Sequence, residues 1–356
     1  MVYALEALGV IFRVEKRTML LNGSSTTDLK TKQLFITWVP FQRRSLSMQA
    51  FFGYEFCSVG FSFRNRAFRG LEYFIKCFYT FILLIRKQPD VLWIQLPPNF
   101  LLHLAHLYKR VFNPRLLIVA DSHNATFRKP WIDILGTRTL LNHCNSITVH
   151  NTWVRSQAIE LGLKSAAIVV LEDPPATIQA SDAPAWQIHR PWLVCPCSFN
   201  RDEPIQVIIE AAQLAPDLTF ILTGNPERAR GIHDLSKLPD NVILTGFLAA
   251  AEFDQLLFGA DAILGFTRLD GIQLSVANEA LGVCKPIVLS NTNTLKTLFY
   301  KGAIYVDSND PNEIAQGCYQ AIQQTAQLSQ AISELRRERE AAWLIQATDV
   351  QQALTV

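Results

Sequence analysis

Residues 270–291, DGIQLSVANEALGVCKPIVLSN, hold two carboxylates, Asp270 and Glu279, on either side of small and polar residues that lead into an apolar run. These types suit a grip on a phosphorylated ligand that also bears hydroxyls. A helix beginning near Leu274 or Ser275 would offer free backbone amides and the positive end of its dipole to an anion. Ser275 adds a hydroxyl, and Gly271 lets a ligand approach the backbone closely. About one helical turn further on, Glu279 still reaches a group held at the helix start. A carboxylate can accept hydrogen bonds from two vicinal hydroxyls, as on a ribose. Asp270 is a weaker candidate, because loop aspartates commonly serve the loop itself. A sugar nucleotide accounts for all the pieces, with its hydroxyls at Glu279 and its phosphates near Ser275.

Further residues stand where strands are expected to end. TGN (223–225) supplies Gly224 and Asn225, and TGFL (245–248) supplies Leu248. Thr267 and Arg268, just before residues 270–291, and Asn278 within them are lining residues. In the first half, Asp121, Ser122, His123 and Asn124 close an apolar run, where a carboxylate or imidazole would take the proton of an attacking hydroxyl. A turn capped by Asp and Asn competes with that reading, and His123 is the better candidate base of the two. His150 is read as structural, and His103 and His106 as residues of an apolar helix. Arg43, Arg44 and Ser45 follow the first apolar run and could hold an acceptor pyrophosphate, or simply form a solvated helix start. Cys195 and Cys197 have no His or further Cys at zinc spacing, so no metal site and no cofactor is expected.

The elements that must position these residues alternate along the chain. Short β-branched runs such as LFITWVP, VLWIQLPP, RLLIVADSHN and SITVHN are separated by helical periodicity in RGLEYFIKCFYTFILLIRKQ, NFLLHLAHLYKRVF, WIDILGTRTLLNHC and TWVRSQAIELGL, with Thr152 as N-cap. Strand, helix, strand repeated in this way predicts a parallel, doubly wound sheet. A proline-rich stretch interrupts the pattern, and the alternation then resumes through WLVCPCSF, EPIQVIIEAAQLA, LTFILTGN, NVILTGF, DAILGFT, LSVANEALGV and PIVLSN. The expected organisation is a flexible leader at 1–32, an acceptor-binding domain at 33–175, a linker at 176–191, a nucleotide-sugar domain at 192–328 and a helical tail at 329–356. Met19 offers an alternative start. Two Rossmann-like α/β domains would face each other across a cleft.

Composition narrows the class. The chain has 356 residues, 49% apolar and 18% charged, which suits packed domains and excludes intrinsic disorder. The net charge of +2 conceals an asymmetry: the first 180 residues carry 21 Lys and Arg against 11 Asp and Glu, and the remainder 12 against 20. A basic half implies an anionic neighbour. No aromatic–basic recognition motif accompanies it, so nucleic acid is set aside and an inner membrane surface preferred. Arg64, Arg66 and Arg69 stand among large aromatics ahead of CFYTFILLI, which reads either as an amphipathic helix on a membrane or as a core helix. No run approaches the roughly 18 apolar residues of a membrane span. Seven cysteines without a zinc pattern point to buried thiols and a cytoplasmic location, peripheral on the membrane.

From about Leu193 to Ile322, NVILTGFLAAAEFDQLLFGADAILGFT and NEALGVCKPIVLSN resemble the C-terminal nucleotide-binding domain of GT-B glycosyltransferases. Over residues 34–150, DVLWIQLPPNF and LLIVADSHNATF resemble the β-1,4-mannosyltransferases that extend chitobiosyl-diphospho-polyprenol, and CSFNRDEPIQVIIEAA resembles the Asp-Glu-containing start of their second domain. The resemblance implies a metal-independent hexosyltransferase acting from a nucleotide-diphosphate sugar onto a lipid-linked or glycan acceptor. The alternative is a non-catalytic GT-B subunit that binds a sugar nucleotide and supports a partner. Retaining members usually carry two Glu residues with seven residues between them, a spacing that counted back from Glu279 falls on Gly271, beside Asp270. The basic pair that neutralises the diphosphate is not evident unless Arg201 or Arg268 serves.

Overall fold

The structure, a computed structural model, describes residues 13–15, 31–39, 42–63, 65–178 and 186–354. Contacts divide the chain into two units: one ends at Glu172 and regains Trp343–Val356, and the other is Asp173–Ala342. Most of the expected leader, Met19, Arg64, the Arg66 side chain and linker residues 179–185 lie outside the described residues.

The first unit contains β1 (Arg13–Glu15), β2 (Gln33–Thr37), β3 (Glu55–Ser58), β4 (Val91–Leu96), β5 (Leu117–Ser122), β6 (Ser146–Val149) and β7 (Ile168–Val170). Their order is β1-β3-β2-β4-β5-β6-β7, parallel throughout except that β1 runs antiparallel to β3. All six residues of β4 are buried, as expected of a parallel strand covered by helices on both faces. The covering helices include Arg43–Phe52, Arg69–Lys87, Phe100–Val111 and Thr152–Glu160. Chain order reverses around β2, which lies between β3 and β4, so the loops after β2 and β4 border the crevice where doubly wound sheets take ligands.

The second unit contains β8 (Trp192–Pro196), β9 (Thr219–Thr223), β10 (Val242–Gly246), β11 (Ala262–Gly265), β12 (Ile287–Ser290) and β13 (Ala303–Val306), all parallel in the order β10-β9-β8-β11-β12-β13. Here the reversal falls between β8 and β11. That places the residues after β8 and after β11 side by side, including the stretch 270–275.

Three local features differ from the sequence reading. WIDILGTRTLLNHC is helical only over Thr137–Leu141, because Gly136 adopts φ 82° and starts the helix afresh. The cap of helix Thr152–Glu160 is Asn151, whose Oδ1 accepts from the Val154 amide at 2.9 Å; Thr152 is the first helical residue. The helical tail begins earlier than expected, as one helix Thr325–Gln352. Its Trp343, Ala347 and Val350 are buried in a cluster of the first unit with Phe35, Phe52, Tyr54 and Trp93. All seven cysteines are unpaired, and no helix among the described residues is long and apolar enough to cross a membrane.

Candidate functional site

In the first unit the ends of β2, β4, β5 and β6 gather a polar cluster. Asp121, at 0% exposure, accepts from Arg44 Nη2 at 3.0 Å and from Thr148 Oγ1 at 2.8 Å, both on Oδ1. Arg44 also donates to the Leu171 carbonyl at 2.8 Å and is itself buried. Burial works against the Asp121 charge, but Arg44, with His150 and His123 behind it, outweighs burial and holds the carboxyl below its ordinary 3.8. Asp121 is therefore an enclosed counterion of Arg44. Ser45 is also fully buried, its Oγ donating to Gln42 Oε1. Arg44 and Ser45 accordingly serve the interior of the unit, while Arg43 is half-buried at the same helix start.

His123 is half-buried at the end of β5, and its Nε2 lies 2.7 Å from Gln42 Nε2 and 3.0 Å from Gln95 Nε2. Each glutamine is oriented from its other end: Ser45 donates to Gln42 Oε1 and Thr37 to Gln95 Oε1. Both amide NH2 groups thus face the imidazole, fixing Nε2 as an acceptor and the ring proton on Nδ1. The His123 and His150 rings lie 4.3 Å apart, and Asp121, His123 and His150 bring ligand-type atoms within 4.8 Å of one another. Chain spacing had hidden this grouping, since His150 comes from the next strand. The Arg44 guanidinium already neutralises its carboxylate, an arrangement adverse to a cation.

In the second unit a cavity of ≈ 140 Å³ is lined by Cys197, Ser198 and Glu203 after β8, by Gly265 at the end of β11 and by Ser275 and Val276 beyond it. Helix Ser275–Val283 has no side-chain cap at Leu274; the Ala277 amide bonds the Leu274 carbonyl at 3.1 Å, and no side chain caps the amides before it, a helix start that suits an anion at the cavity wall. Ser275 is exposed there, whereas Glu279 is only 7% exposed. Asn278 is buried with neither side-chain polar atom hydrogen-bonded, and the Gln273 amide is in the same condition. Buried amides of this kind are costly unless a ligand completes them.

The remaining sequence candidates have local duties. Asp270 accepts from the Gly271 amide at 2.8 Å, the Thr294 amide at 3.0 Å and the Asn293 amide at 3.2 Å, pinning loop 270–271 to the next helix start. Gly271 has φ 76°. Gly224 has φ 110°, and a Cβ there would strike the Cys197 carbonyl; what approaches its backbone is the β8 loop. Asn225 caps a short turn through the Glu227 amide at 3.0 Å, and Arg268 Nε donates to Asn309 at 2.8 Å. Leu248 packs on the core, while its neighbour Phe247, 84% exposed, is the side chain that loop presents.

Glu203 was not singled out from the sequence. Its carboxylate accepts from the amides of Ser198 at 3.0 Å and Phe199 at 2.8 Å, holding Phe199 in a left-handed conformation at φ 54°. Burial pushes its carboxyl up to about 7, against the pull of those amides. Because the folded value lies above the ordinary 4.5, Glu203 contributes most stability below 4.5 and loses it as pH rises through about 7. The thermal midpoint of the second unit is therefore expected to fall across that window, and Glu203→Gln to flatten the slope; an unchanged slope would remove this role. The only sequence signal was the adjacent Asp202-Glu203 pair at a strand-to-helix turn.

The whole chain is similar in structure to several solved proteins. HepE of Anabaena, crystallised with UDP and glucose, superposes with a TM-score of 0.68 at 15% identity over 92% of this chain and 100% of that one. The sucrose-phosphate synthase of Thermosynechococcus elongatus gives 0.64 at 12% identity, covering 91% and 98%. The N-terminal domain of Candida albicans trehalose-6-phosphate phosphatase gives 0.61 at 13% identity, covering 94% and 99%. No family model and no curated relative matches. At these identities the likeness shows the fold alone, and that fold is the two-domain α/β fold of GT-B glycosyltransferases.

Proposed function

We propose that this chain transfers a hexosyl group from a nucleotide-diphosphate sugar, bound by the second unit, to a hydroxyl of a lipid-linked or glycan acceptor bound by the first. The carrying observation is the uncapped start of helix Ser275–Val283 opening on a cavity, with the unsatisfied amides of Asn278 and Gln273 beside it. HepE, of the same fold, was crystallised with UDP-glucose, which supports the class of donor. The helix amides and the Ser275 hydroxyl take the diphosphate, whose charge needs no metal where a dipole and exposed Arg201 share it. Glu279 takes the ribose hydroxyls. In the reaction the acceptor oxygen bonds to the anomeric carbon as the nucleoside diphosphate leaves. His123 Nε2 receives the acceptor's proton once substrate displaces one of its glutamine partners. The sequence resemblance to β-1,4-mannosyltransferases leans this toward inversion.

A second reading, a subunit that binds the donor without turnover, is favoured by one observation: the Asp121 and Asp270 carboxylates are both consumed by internal partners. A panel of UDP-, GDP- and ADP-sugars separates the two. Consumption of one donor that His123→Ala abolishes, with donor affinity retained, supports transfer. Binding without consumption selects the subunit, and no binding to any donor sinks both.

A further inference from the structure

The first unit holds a second cavity, of ≈ 390 Å³, whose lining includes Trp38, Arg69, Glu72, Tyr73, Lys76 and Trp131. None of these was a sequence candidate for acceptor binding, and of the three residues that were, Arg44 and Ser45 are buried and internally paired and Arg43 is half-buried. Trp38 follows β2 at the reversal of strand order, where doubly wound sheets accept ligands.

Its wall is costly to build for packing alone. Glu72 and Lys76 are 7% and 4% exposed, and Lys76 Nζ lies 2.7 Å from Glu72 Oε1 and 3.3 Å from the Trp38 carbonyl. Glu72 Oε2 accepts from the Phe63 amide at 3.2 Å. A buried ion pair gives little over a well-packed apolar pair unless it has a further task. At a cavity wall it presents a carboxylate and an ammonium to a polar guest. Around it the rings of Trp38 and Tyr73 stack at 6.1 Å, and Trp131 meets Tyr73 edge-on at 6.3 Å, making flat apolar walls. Aromatic faces with one hydrogen-bonding pair suit a pyranose, which has C–H faces and an equatorial rim of hydroxyls. The volume falls in the range of small-ligand pockets.

The cavity also has an apolar exit. Lys76 Nζ sits 5.3 Å from the Phe61 ring, Phe61 lies 5.9 Å from Phe63, and Phe63 lies 6.1 Å from Phe68. That aromatic path leads from the buried ammonium to the surface, where Phe68, just before helix Arg69–Lys87, and Leu71, Phe74 and Phe78 on it are 53%, 50%, 69% and 49% exposed. A soluble face of this make-up is anomalous without an apolar partner.

We propose that this cavity binds the glycosyl head of an amphiphilic acceptor, with the apolar tail running along Phe63, Phe68 and Leu71. The inference rests on the transferase reading and names where its acceptor sits. Exposed Arg69 brings a cation to the rim that would also attract a phosphate, so the head group is the feature to test.

Titration calorimetry on the full chain with n-octyl β-D-glucopyranoside, below its micelle-forming concentration, tests this against glucose and n-octyl phosphate. Saturable binding of the octyl glucoside is expected, with glucose and octyl phosphate each weaker by about tenfold or more. Trp131→Ala and Glu72→Gln are expected to weaken it about tenfold, and Phe68→Ser to weaken the octyl glucoside but not glucose. Should Glu72→Gln fail to fold by circular dichroism, Trp131→Ala at the half-buried rim carries the test. Equal binding of octyl phosphate, no saturable binding, or variants matching wild type would each overturn the proposal. UDP-glucose binding, titrated on the same samples, is expected to survive every substitution. Failure of the wild type to bind any of the UDP-, GDP- and ADP-sugars would count against the transferase reading while leaving the result for the cavity intact.

Discussion

Asp121→Ala is expected to cost the first unit about 3–5 kcal/mol, measured by urea unfolding, because it removes a carboxylate that pairs with a buried guanidinium. Arg44 would keep the Leu171 carbonyl at 2.8 Å but lose the Asp121 carboxylate, and Thr148 would lose the Asp121 oxygen that accepts from it. Asp121→Asn is expected to do little better, since the charge that Asp121 sets against the buried Arg44 guanidinium would still be lost. Replacing the pair together, with Leu at 121 and Met at 44, is expected to recover much of the loss, as apolar substitutes of similar volume commonly do. The pH signature has a fixed sign. The folded carboxyl lies below 3.8, so its contribution is present above 3.8 and lost as pH falls through the lower, folded value. A loss under about 1 kcal/mol for Asp121→Ala would show that water reaches Arg44 and that the cluster is looser than its geometry.

Glu279→Ala is expected to weaken donor binding by about 150-fold, the equivalent of two hydrogen bonds to a charged group at about 1.5 kcal/mol each. The residue stands one turn into the helix whose first amides are uncapped, and it is 7% exposed, so the surroundings would screen its bonds poorly. Glu279→Gln, which keeps the shape and one acceptor, is expected to fall between. Calorimetry with the donor and a melting curve on the same sample divide the outcomes. A lower midpoint with unchanged affinity would make Glu279 a helix-packing residue and end its role as a ribose ligand.

Where apolar periodicity was long, the fold was legible: helix Arg69–Lys87 and the fully buried β4 stand within a residue or two of their sequence patterns. Two short strands were missed. Glu55–Ser58 and Ala303–Val306 have four residues each, too few for alternation to separate strand from loop. The helix start at Ser275 was legible because small residues after a strand are a local signal. The fates of Arg44 and Asp121 were not, because 77 residues separate them and only the sheet makes them partners. Glu203 was missed for a related reason: its value lies in backbone amides four and five residues earlier, bent back by a left-handed Phe199.

The burial of Trp343, Ala347 and Val350 among Phe35, Phe52 and Trp93 bears on the order in which the chain can fold as it is made. A ribosome releases the N-terminal portion first, and domains ordinarily fold as units while synthesis proceeds. This first unit lacks part of its aromatic core until Trp343, Ala347 and Val350 emerge, after the whole of Asp173–Ala342 has been translated. The second unit, continuous in sequence, can complete itself earlier. The half that starts first thus finishes last, and its nascent form exposes Phe51 and Phe52 to whatever chaperone attends the exit tunnel.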